Sequence, residues 1–142
     1  MRKLLTIGLL LLVLTSCSIN VLNNMRVDNV ISFELLKQDA YGGRDAKSTA
    51  IITSQGQLQE LYKELGWSSA PAVDFSKNNV VALFMGQKRT GGYSINVRKV
   101  TVEDDTATVE VLETSPEGMA TMALTAPYCI VVIPKTANVE VK

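Results

Sequence analysis

The chain has 142 residues with 14 basic and 14 acidic side chains and no histidine, so it carries no electrostatic footprint for nucleic acid and lacks the commonest general base and metal ligand. Ser-His and Cys-His catalysis and the usual zinc sites are excluded with that residue. No glycine pair precedes the lysine and hydroxyl residue of a P-loop, and Glu103-Asp104-Asp105 is too short a run of oxygen ligands for a calcium loop. The expectation is a protein that is no enzyme, needs no cofactor or metal, and works through its surface.

At the N-terminus Arg2 and Lys3 precede an apolar run over residues 4–14 that ends in Leu14-Thr15-Ser16-Cys17. Those 11 residues fall short of the roughly 18–20 that cross a bilayer, and small residues follow them as a cleavage site requires. An aliphatic residue, two small residues and a cysteine form a lipobox. Residues 1–16 therefore read as a lipoprotein signal peptide, and Cys17 as the acylated N-terminus of the mature chain, bearing several fatty chains such as palmitate. More than one chain gives stable attachment, at about 0.8 kcal/mol per buried methylene. The expected location is the bacterial cell envelope, anchored to a membrane through that lipid on its periplasmic or cell-surface side. Ser18 is not the aspartate that acts as an inner-membrane retention signal in some bacteria.

Residues 17–29 are polar and asparagine-rich, which suits a tether, and residues 30–142 are expected to form one globular domain. Losing Arg2 and Lys3 with the leader leaves 12 basic against 14 acidic side chains. With Cys17 committed to lipid, Cys129 has no partner within the chain and reads as a small buried hydrophobe in the apolar run 128–133.

Along the domain, residues 30–36 and 49–53 read as two strands joined through QDAYGGRDAK, an opening hairpin turned by Gly42-Gly43. A helix follows: Ser54 caps it, Leu58, Leu61 and Leu65 recur at three- and four-residue spacing, and Gly66 closes it. Residues 67–79 form a surface connection pinned by Trp67 and Phe75. Residues 80–85 are apolar at every position and predict a central strand buried on both faces. Tyr93, Ile95 and Val97 alternate with polar residues, whereas Val100 and Val102 have the opposite parity, so a bulge is expected near Arg98-Lys99. Glu103-Asp104-Asp105 turns the chain into a partner strand through Ala107, Val109 and Val111. A long loop spans 115–126, a second fully apolar strand spans 129–133 up to Pro134, and a short strand over 137–141 closes a sheet edge. The fold class this describes is α+β: a mostly antiparallel sheet, folded as a sandwich or open barrel, with one packed helix.

Two stretches remain as candidate contact surfaces. Lys88-Arg89-Thr90-Gly91-Gly92-Tyr93 precedes one strand, and a loop with Pro116, Gly118, Met119, Met122 and Leu124 leads to Pro127-Tyr128 before another. The glycines serve either a turn or a contact, where a side chain would keep a partner's backbone away, and a methionine-bearing loop suits an adaptable contact. The partner-binding residues this selects are Arg89, Thr90, Gly91, Gly92, Tyr93, Met119, Met122, Pro127 and Tyr128.

At these residues the sequence resembles the C-terminal domain of the protease complex subunit family called PrcB, whose members are mostly bacterial lipoproteins. The resemblance covers residues 75–135. It runs through Asp74-Phe75, the strand 80–86, Thr90-Gly91-Gly92-Tyr93-Ser94-Ile95, Ala126-Pro127-Tyr128, Ile130-Val131 and Pro134-Lys135. It implies an accessory protein that associates with an exported or cell-surface protease and supports its assembly, and it carries no catalytic residue. The two loops are also similar to those that chagasin-like cysteine protease inhibitors insert into a cleft, although the tryptophan of that pattern is Ile95 here. Both resemblances require the loops to lie side by side at one end of the sheet. A structural envelope lipoprotein or small-ligand carrier is a further alternative, and bulky Leu83, Phe84, Tyr93 and Ile95 argue for a filled core instead.

Overall fold

The computed structural model describes residues 29–142, so the leader and Cys17 lie outside it. Eight strands and one helix follow in the order β1 (Val30–Ile31), β2 (Glu34–Asp39), β3 (Ser48–Ile52), α1 (Gln55–Glu64), β4 (Asn78–Phe84), β5 (Ser94–Glu103), β6 (Thr106–Thr114), β7 (Tyr128–Pro134) and β8 (Asn138–Val141). One sheet has the strand order β1-β5-β6-β8 and the other β2-β7-β4-β3. The sheets stack face to face and α1 covers the outer face of the second, so the α+β sandwich is shown, without closure into a barrel.

The apolar strands β4 and β7 hold the centre of the second sheet because only there are both faces covered. Val81, Leu83, Met85, Cys129, Val131 and Ile133 point toward the first sheet and meet Ile95, Val97, Val100, Ala107 and Val109. Val80, Ala82, Phe84, Tyr128, Ile130 and Val132 point the other way and meet Leu58, Leu61 and Tyr62 of α1. Phe84, read as part of a filled core, is buried in it on the helix side of this sheet. A 10-residue helix is marginal alone, and burying those three side chains contributes about 1.5–3 kcal/mol each. Ser54 caps it through an Oγ that accepts from the Gln57 amide at 3.3 Å, while the Gln57 side chain accepts from the Thr53 amide at 2.9 Å. The helix ends where Gly66 turns left-handed at φ +85°.

The opening hairpin does not form. Residues 30–36 divide into β1 and β2, which belong to different sheets, and β2 pairs with β7 while β3 pairs with β4. The reason is competition for partners: the two apolar central strands need hydrogen-bonded neighbours on both sides, and β2 and β3 become opposite edges. Residues 40–47 thus cross one end of the sheet rather than making a tight turn. The bulge and the turn expected between residues 97 and 106 form. The register of β5 on β6 shifts between Val97 and Lys99, and Asp104 and Asp105 take φ values of +48° and +57° in the two-residue turn between them. β8 is an edge as expected, but parallel to β6. Phe75 packs on the helix-side core, and Trp67 lies under the Lys37 ammonium, 3.2 Å from the ring centroid.

Candidate partner-binding site

Three connections meet at one end of the sandwich: residues 40–47, 85–93 and 115–127. The strand registers put them there, since Asp39 and Phe84 both lie opposite Tyr128, Ser48 lies opposite Phe84, and Ser94 opposite Thr114. The 85–93 and 115–127 loops lie side by side, as both resemblances required. Thr125 clasps them: its amide donates to the Lys88 carbonyl at 2.9 Å, its carbonyl accepts from the Lys88 amide at 2.7 Å, and its hydroxyl donates to the Thr90 carbonyl at 2.8 Å. The Gly91 amide adds a bond to the Thr121 carbonyl at 2.9 Å.

The third connection grips the same loop from the opposite side. The Gly43 amide donates to the Ala126 carbonyl at 2.9 Å and the Ala126 amide to the Ala40 carbonyl at 3.0 Å. Arg44 ties residues 40–47 to α1 by a two-toothed pair with Glu64, at 2.7 and 3.0 Å, and lies over the Phe84 ring. That guanidinium holds the Glu64 carboxyl below its ordinary value by hydrogen bonding.

The glycines answer to this packing. A Cβ on Gly43 would run into the Ala126 carbonyl and one on Gly91 into Thr121 Oγ1, while Gly92, at φ +86°, would place a Cβ 2.7 Å from Pro116 Cβ. The close approach these glycines permit here is between the chain's own loops. Each pair combines one left-handed glycine, Gly42 or Gly92, with one glycine in tight contact, Gly43 or Gly91.

The structure sorts the selected residues into two groups. Pro127 and Tyr128 are buried, Tyr128 stacking on Phe84 at 6.2 Å with its phenol pushed up by burial, and they support the loops from below. Gly91 is buried too, Thr90 is half-buried, and Tyr93 is half-buried against the inter-sheet core beneath Lys88, whose ammonium lies 5.4 Å from the ring centroid. Arg89 and Gly92 are exposed. Met119 and Met122 stand out of the loop at 104% and 91% exposure, with Leu124 at 65%. Three large apolar side chains thus stand exposed on a loop held by backbone bonds at residues 121, 125, 126 and 127. Sequence reasoning missed Thr125 and residues 40–47. The second glycine pair was the signal for the latter, since glycines without Cβ atoms permit a loop to lie against another backbone.

Cys129 is fully buried beneath this end, and burial pushes its thiol up to about 11, so it is inert at neutral pH. Among the described residues no three histidine, cysteine, aspartate or glutamate side chains are placed to hold a metal ion, and no helix is long and apolar enough to cross a membrane.

Residues 79–134 match the model of the family described as PrcB C-terminal. The matched segment runs from β4 to β7 and contains both the 85–93 and the 115–127 loops but not residues 40–47, and over those matched residues the resemblance read from the sequence is shown. No curated protein and no solved structure matches the chain, and the similarity to chagasin-like inhibitors rests on its residues alone.

Proposed function

We propose that this chain is a lipid-anchored, non-catalytic accessory subunit that binds and stabilises an exported or cell-surface protease. The match to the PrcB family supports association with a protease complex. The lipobox at Cys17 supports anchoring at the membrane, and the lack of histidine supports a role without chemistry. The observation that carries the reading is the trio Met119, Met122 and Leu124, exposed on a loop whose backbone is already pinned. A loop held in place before binding loses little conformational freedom on contact, and unbranched methionine side chains adapt to a partner surface.

The experiment is cross-linking with mass spectrometry in the native membrane, using the tagged full chain and a Met119→Ser/Met122→Ser variant of unchanged thermal stability. One protease should be captured by the unaltered chain and lost by the variant. Capture that survives the variant, or background envelope lipoproteins alone, overturns the proposal. Adjacent loops also suit a cleft inhibitor, and near-stoichiometric slowing of a papain-like protease by the purified protein would reassign the site to that role.

A further inference from the structure

Four sulfur-bearing side chains lie among the described residues, and the fold divides them into two pairs. Met85 is 5% exposed and Cys129 is fully buried, both in the core between the sheets. Met119 and Met122 stand in water at 104% and 91% exposure on the 115–127 loop. An oxidant in solution therefore meets the second pair and not the first. The chain neighbours of the exposed pair are Gly118, Ala120, Thr121 and Ala123, all too short to screen a methionine sulfur. The bonds that hold this part of the loop are made by other groups: the Thr121 carbonyl accepts from the Gly91 and Ala123 amides, each at 2.9 Å, and Thr125 pairs with Lys88. A change at either sulfur leaves those bonds as they are.

A thioether needs no neighbouring acid, base or metal to be oxidised. A sulfur lone pair attacks one oxygen of hydrogen peroxide, and the S–O bond forms as the O–O bond breaks. The displaced hydroxide takes the proton from the new S–OH and leaves as water. Sulfur has then lost two electrons and the peroxide has gained them. The product is a polar, chiral sulfoxide in place of a flexible apolar side chain, and reductases specific for each epimer reverse it.

We propose that Met119 and Met122 form an oxidation site, at which a peroxide converts the apolar contact surface of the loop into a polar one without disturbing the fold. The free protein bears the change at no cost, because both sulfoxides stand in water. Covered by the apolar surface of a partner, each sulfoxide oxygen would be a buried polar group without a hydrogen-bond donor, which is unfavourable. A modification shifts an equilibrium only by the difference between its effects on the two states, and here that difference falls on binding. Buried Met85 and Cys129 keep the core out of the same reaction. The proposal rests on the accessory-subunit reading for what the loop contacts, and on the lipobox for an exported location that peroxide from outside the cell reaches.

The test uses the purified full chain in detergent, with Met25→Leu so that residues 17–29 hold no methionine, and hydrogen peroxide as the probe. Peptide mapping should find sulfoxide forming at Met119 and Met122 as fast as in a denatured sample. Met85 should react at least about a hundredfold more slowly, because its sulfur is reached only when the core opens. Retention on a phenyl matrix should fall while Tm stays unchanged, and treatment with both methionine sulfoxide reductases should restore the retention. In Met119→Leu/Met122→Leu, retention should no longer respond to peroxide. Protection of Met119 and Met122, unchanged retention or a lowered Tm overturns the proposal. Added to native membranes, the oxidised chain should capture about tenfold less protease than the untreated chain, the loss expected from one unpaired buried group. Equal capture by the two would show that oxidation does not act on the contact, and overturns the proposal as well. An untreated chain that captures no protease overturns the accessory reading instead, and the mapping and retention then decide the oxidation site by themselves.

Discussion

In β4, Val80, Val81, Ala82 and Leu83 are all buried, whereas in β5 buried Ile95 and Val97 alternate with half-buried or exposed Asn96 and Arg98. The difference comes from what lies above each sheet. The second sheet has α1 on its outer face and the other sheet on its inner face, so neither side of its central strands meets water. The first sheet has one packed face and one wet face, as antiparallel sheets tolerate. Its outer side is consequently free to vary, and the loops at the shared end inherit a rigid base from one sheet and freedom of surface from the other.

The largest expected effect comes from putting the same kind of change on both sheets. Val81→Asp buries an unpaired carboxylate between the sheets and should unfold the domain, a cost of several kcal/mol. Thr108→Lys, on the wet face and opposite Glu140, should stay within about 0.5 kcal/mol of the parent in denaturant unfolding. Equal losses would show that the outer face of the first sheet is covered in solution, and would end the comparison.

An intermediate effect sharpens the same contrast with pH. Burial raises the Cys129 thiol from 9.0 to about 11. A raised value in the folded state means that the stability is fully present below the unfolded value and is lost as pH climbs from there through the folded value. Between about pH 9 and 11 the domain should lose on the order of 2–3 kcal/mol, and Cys129→Val should flatten that decline. Denaturant titrations at several alkaline pH values check it; an unchanged slope in the valine variant would place the titration elsewhere.

The smallest effect lies at the loops. Gly91→Ala forces its Cβ against Thr121 Oγ1 and should cost about 1–2 kcal/mol. Thr121→Ala removes that atom, so the double variant should recover most of the loss, a coupling read directly from a double-mutant cycle. Additive losses would mean that the two loops do not press on each other as the structure shows.

Periodicity along the chain determined the elements whose information is local. The spacing of Leu58, Leu61 and Leu65 with Ser54 before it set the helix, the change of parity after Val97 set the bulge, and the unbroken apolar runs 80–85 and 129–133 set the strands covered on both faces. The residues 89–93 and 115–127 were likewise legible as neighbouring loops at one end of the sheet. Only the tertiary structure decided which strands became neighbours, because backbone hydrogen bonds between strands depend on partners far along the chain and leave no pattern in either strand alone. That is why residues 30–36 and 49–53 looked like a hairpin, whereas the first stretch divides between the two sheets and β2 and β3 lie at opposite edges of one of them. For the same reason the sequence showed that Gly91 and Gly92 lacked side chains but not what occupied the space: the chain's own Thr121 and Pro116, brought there by the return of β6 into β7.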